Sequence, residues 1–331
     1  MKVRTEGVSL LLDKLEGDLE SASDVISHPD IQRWLDAYDW VPERQERFRG
    51  ILKALPEKPR SDLNLWEEKI HFGLKKALGE PDRMRTAIRE IKNYDWESAQ
   101  EDALEYLPDD TYLDPVMIVT IDGFNGGMFR NGTVYLSLVY FDASAISPDT
   151  FSHELHHMGA EYWWSKDPLI EGLRSSVDPR KKHMVNLLTY LVGEGLANAF
   201  CSPQAITKVE GDEEHNELIS EYEGAMDDLF DMLERLLDDI LSGTQEEIAR
   251  SYNGFTMDER GRGLPPGHFL SGRMVKIMDL SNEVSRDEIV GLVKGPLNFF
   301  ELYNRAAKEQ DVRQITPEIL TRVDDMLKGN K

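Results

Sequence analysis

Apolar residues recur at steps of three and four along most of this chain, a spacing that predicts amphipathic helices. In the first hundred residues IQRWLDAYDW and LNLWEEKIHFGLKKALG carry the pattern. Ser27-His28-Pro29-Asp30 precedes the first and Ser61-Asp62 the second, which ends at Gly79 with Pro81 beyond; these are ordinary start and stop signals. Segment 81–110 continues the helical period and breaks at LPDDTYLDP. The period then changes. PVMIVTIDGF (115–124) and GTVYLSLVYF (132–141) are rich in β-branched and aromatic residues and are joined by the turn-rich link NGGMFRN. They predict a small hairpin or part of a small sheet.

From 147 onward the helical period returns. Ser147-Pro148 opens one helix over 148–164, a hydroxyl cap followed by proline at the first helical position. Asp178-Pro179 opens another that runs to about Phe200, and one acidic helix is expected over roughly 212–242. Ser285 with Glu288 forms a capping box, and Thr316-Pro317 opens a last helix that stops at Gly329. The expected fold class is mainly α with one small β-sheet (α+β).

Composition narrows the partners. Sixty-two acids against 38 bases give 331 residues a net charge of −24. So acidic a surface excludes general binding to nucleic acid or anionic membrane, which needs basic groups. Residues 210–239 hold thirteen acids and one base, interleaved with Leu229, Leu233, Leu236 and Leu237 and followed by Ile240; that is a solvated face on an amphipathic helix. Cys201 is the single cysteine, expected as a buried thiol, so no disulfide framework is available. The first apolar run, before Asp13 and Lys14, is five residues. A secretion signal needs about 7–15, so a cytoplasmic location is expected.

Candidate chemistry concentrates at HELHH, residues 153–157, which satisfies H-E-x-x-H. On a helix, His153 and His157 point the same way one turn apart and can share an ion. Glu154, rotated about 100° from His153, can reach a water on the ion's open side. His156 points elsewhere. Two histidines need a third ligand. Trp163 stands where a metzincin has its third histidine, and Glu161 is about 12 Å from His153 along the helix, too far to share its ion. In LLTYLVGEGLANAF (187–200), Glu194 lies on the inward stripe with Leu187, Leu191 and Asn198. A carboxylate there needs compensation. Gly193 and Gly195 flank it and imply that another backbone passes close by; a helix carrying a metal would do so. Asn198, one turn on, is placed to hydrogen-bond a ligand histidine from behind. The plainer alternative is a buried Glu194 paired with a basic residue, and Glu171 in LIEGLRSS is the runner-up ligand.

HELHH followed by GEGLANAF resembles the gluzincin metallopeptidases, whose third ligand is a glutamate on a second helix. The likeness is strongest to uncharacterised zinc-dependent peptidase families known as domains of unknown function, and it covers about 130–280. It implies a zincin-like catalytic domain over 111–331 behind an N-terminal helical region over 1–110. It also implies one zinc ion per chain, held by His153, His157 and Glu194, with Glu154 as general base and a sheet edge that binds an extended peptide or protein substrate. Such sites add an oxyanion donor, for which His268 in GLPPGHFLSGRMVKIM is expected, with Tyr252 second. Two rival functions are a metal-dependent hydrolase of another amide or ester, and a non-catalytic helical protein with a structural or sensing metal.

Overall fold

The computed structural model describes residues 2–17, 23–55, 63–124, 126–130, 132–140, 148–258 and 263–328. The expected caps Ser61-Asp62 and Ser147, the stop at Gly329, and Asn125 and Asn131 of the NGGMFRN link lie outside them. The fold is mainly α with one four-stranded sheet. It divides into two compact units, one built from 1–100 and 113–158, the other from 101–112 and 159–331.

The first unit carries the sheet: β1 (Lys2–Arg4), β2 (Val116–Thr120), β3 (Gly127–Arg130) and β4 (Thr133–Ser137), in the order β1-β2-β4-β3. The two apolar runs do not form a hairpin with each other. β2 and β4 lie side by side and parallel, Val116 opposite Thr133 through Thr120 opposite Ser137. The hairpin forms instead between β4 and the supposed link, whose GMFR segment is strand β3, antiparallel with Gly127 opposite Leu136. Gly132, at φ 71°, supplies the left-handed residue of that tight turn. Parallel neighbours need a crossover, and the link doubles as crossover and edge strand. β4 is buried throughout and β2 nearly so, as expected for central parallel strands, while β3 is partly exposed.

Asp122, just past β2, ties this sheet to the N-terminal helices. It is 2% exposed. The Trp34 indole donates to its Oδ2 at 2.8 Å, the Tyr38 hydroxyl donates to the same oxygen, and the Phe124 N–H donates to Oδ1 at 2.7 Å. The next residue must be glycine: a Cβ on Gly123 would sit 1.9 Å from the Lys69 carbonyl oxygen, so tightly does helix Leu65–Gly79 cross here. That helix is capped by Asn64, in a capping box with Glu67.

The second unit is helical. Asp178 caps helix Pro179–Leu196, which runs into a single π turn, Ala197–Cys201. Cys201 is buried, as expected. Helix Pro266–Asp279 packs along this pair, and a Cβ on Gly195 would meet the Ser271 carbonyl oxygen at 3.1 Å. The acidic stretch forms two helices rather than one, Glu213–Gly224 and Met226–Ser242. The break falls at Gly224-Ala225, where glycine weakens the helix and Ala225 leaves helical geometry (φ −109°, ψ 22°). Leu229, Leu233, Leu236, Leu237 and Ile240 are buried beneath the acidic face. Among the described residues, no helix is long and apolar enough to cross a membrane.

Replacing Asp122 with alanine would strand three donors. With each buried orphan costing about 1–3 kcal/mol, we expect a loss of about 3 kcal/mol, read as a lower urea midpoint.

Candidate metal centre

Helix Pro148–Trp164 carries HELHH. Phe151 anchors it within the first unit, its ring 4.9 Å from Tyr94 and 4.3 Å from Trp96 between centroids. Ser152, Leu155, His156 and Met158 are buried, whereas His153, Glu154 and His157 are half-buried on one remaining face. The helical spacing therefore does what the sequence implied. His156, fully buried, does not share that face.

The Nε2 atoms of His153 and His157 lie 3.0 Å apart. Two nitrogens bound tetrahedrally at 2.0–2.1 Å to zinc stand about 3.3 Å apart, so the pair is already spaced as two ligands of one ion. Glu154 lies under the outer strand: a Cβ on Gly127 of β3 would come within 3.0 Å of its Oε1. Sequence reading took GGMFR for a turn and missed this contact. The usable signal was the pair of glycines beside a β-forming Met-Phe.

A second cluster forms in the other unit around Glu194. It is the one half-buried position in an otherwise buried run from Leu191 to Ala199. Its Oε2 lies 3.2 Å from Nε2 of His268 and 3.4 Å from Nδ2 of Asn198. The His268 Nδ1 lies 2.7 Å from the Tyr190 hydroxyl. Two details differ from expectation. The backbone close to Gly195 belongs to helix Pro266–Asp279, not to the histidine helix. Asn198 donates to the carboxylate of Glu194 rather than to a histidine, because a donor one turn along the same helix reaches that side chain first. Two groups that compensate Glu194 are thus an imidazole and an amide.

Glu171 sits elsewhere. It is half exposed and 3.6 Å from Arg174, whose guanidinium also clamps Glu161 with contacts of 2.7 and 3.0 Å. Tyr252, the second-choice donor, packs at a ring-centroid distance of 6.3 Å from His183, far up the glutamate helix. Burial pushes its phenol up to about 12. Burial, reinforced by the Glu194 carboxylate, pushes the Tyr190 phenol well above its ordinary range.

The family model described as "Putative zinc dependent peptidase (DUF5700)" matches residues 24–312. No curated protein and no solved structure matches.

A raised phenol favours the folded state while it is protonated, so its contribution is fully present below about pH 10 and disappears as pH climbs through the folded value. Stability should therefore fall between about pH 10 and 12. Replacing Tyr252 with phenylalanine should flatten part of that decline in a series of thermal melts, and should remove a late-ionising phenol from the ultraviolet titration.

Proposed function

The chain belongs to the DUF5700 family, and from that membership we propose that it is a zinc-dependent peptidase whose ion is held by His153, His157 and Glu194. One observation supports the histidine pair: their Nε2 atoms lie 3.0 Å apart, one turn apart on a single helix. Glu194 is supported within its own helix, as the one half-buried acid in an otherwise buried run and in a GEGLANAF context. Two imidazoles and a carboxylate are a donor set that zinc takes, with room left for a fourth ligand.

When bound, the ion supplies Lewis acidity toward a water and toward the substrate carbonyl. The chain's own groups do the rest. Glu154, half-buried beside the outer strand, accepts the proton of the attacking water and passes it to the leaving amine. β3 ends the strand order of the sheet beside Glu154, and a peptide aligned along it in extended form would present its carbonyl beside that carboxylate. This strand, not the helical bulk of the fold, favours a peptide over a compact ester as substrate. His268 is the proposed donor to the oxyanion, a role in which its Nε2–H would turn from Glu194 toward the substrate.

Metal content per chain, measured by elemental mass spectrometry on protein purified without added metal, tests the ligands. We expect near-stoichiometric zinc in the wild type and much less in Glu194→Ala. Unchanged zinc in that variant would remove Glu194 from the site. Glu154→Gln should keep the zinc and lose about 10²–10⁴-fold in turnover on a panel of peptide, N-acyl and ester substrates. Retained turnover would exclude Glu154 as the base, and activity confined to non-peptide members would exclude the peptidase.

A further inference from the structure

Tyr190, Glu194 and Asn198 follow one another at four-residue intervals along the glutamate helix. Four residues is about one turn, so they stack in a stripe. His268, the third residue of helix Pro266–Asp279, bridges the first two, with Nδ1 at 2.7 Å from the Tyr190 hydroxyl and Nε2 at 3.2 Å from Glu194 Oε2. The geometry points to Tyr190 and His268 as a relay that positions the Glu194 carboxylate and so sets how tightly this chain holds its ion. The inference rests on Glu194 being a ligand, as proposed above.

The direction of the hydrogen bonds follows from the groups. An ionised carboxylate only accepts, so His268 must carry its proton on Nε2 to bond Glu194. In the neutral ring Nδ1 is then an acceptor, and the phenol, which holds its proton at neutral pH, donates to it. Tyr190 therefore selects the one neutral tautomer that can grip Glu194. Without the hydroxyl, both tautomers and other ring orientations compete.

The surroundings are shaped for this contact. A Cβ on Gly267 would fall 2.7 Å from the Tyr190 hydroxyl and 2.8 Å from the Phe255 carbonyl oxygen, so only glycine lets the helix start come this near. Asn198 adds an amide donor to the same carboxylate oxygen from the following turn. A carboxylate steered from both sides meets the ion with its orientation already set, which lowers the entropy lost on binding. Groups of this kind behind a metal ligand typically change metal affinity by about 10–100-fold.

The test is zinc affinity of metal-free protein, measured by competition with a chromophoric chelator, with folding of each variant checked by circular dichroism. We expect Tyr190→Phe to weaken zinc about tenfold and His268→Asn by 10–100-fold. Because Tyr190 acts through His268, the double variant should bind no more weakly than His268→Asn alone. A merely structural role would instead give additive losses. Wild-type affinity in folded Tyr190→Phe, or additive losses in the double variant, would overturn the relay. So would a His268→Asn variant that loses turnover with zinc affinity intact, which would mark His268 as an oxyanion donor only. Glu194→Ala separates the two proposals. If it abolishes zinc binding while Tyr190→Phe leaves binding unchanged, the ligand assignment stands and the relay fails. Zinc binding unaffected by Glu194→Ala overturns both.

Discussion

A carboxylate set among apolar neighbours must be compensated, and the glutamate helix is arranged around that requirement. From Leu191 to Ala199 every residue but Glu194 is buried. The compensating groups are an imidazole from a helix that begins about seventy residues later and an amide one turn along. To bring the imidazole close, helix Pro266–Asp279 must pack against the glutamate helix almost without intervening side chains. Hence the glycines on both sides of the contact: a Cβ on Gly195 would meet Ser271 and Val275, and one on Gly272 would meet Ile206 and Asn198.

The first unit solves a comparable problem at Asp122, where an indole, a phenol and a backbone N–H gather on one buried carboxylate. There all the donors are neutral and local to the unit, and the result is a fixed joint between helices and sheet. Glu194 differs in chemistry. Its partners include a titratable ring and an amide, and it remains partly exposed. A joint built for rigidity buries its acid; the proposed ligand keeps part of its carboxylate accessible.

In the outer strand a small residue makes room for a carboxylate. Gly127 is a member of β3, where glycine weakens strand structure. The reason for it is the Glu154 carboxylate directly beneath. The glutamate helix ends in a π turn at Ala197–Cys201, a distortion that recurs at functional sites.

The sequence by itself determined the helix-rich class, the position of two of the sheet's strands between two helical stretches, most helix starts, and the common face of His153, Glu154 and His157. These are readable because capping and the 3.6-residue period depend on neighbours a few positions away. It also marked Glu194, since an acid in an apolar stripe is anomalous within its own helix. Only the tertiary structure decided that the two apolar strands lie parallel with the link as a third strand, that the acidic stretch breaks at Gly224, that Gly195 makes room for helix Pro266–Asp279, and that Tyr190 and His268 attach to Glu194. Strand partners and cross-helix hydrogen bonds depend on groups tens of residues apart. Local pattern sets which side chains face inward; packing alone sets which of them meet.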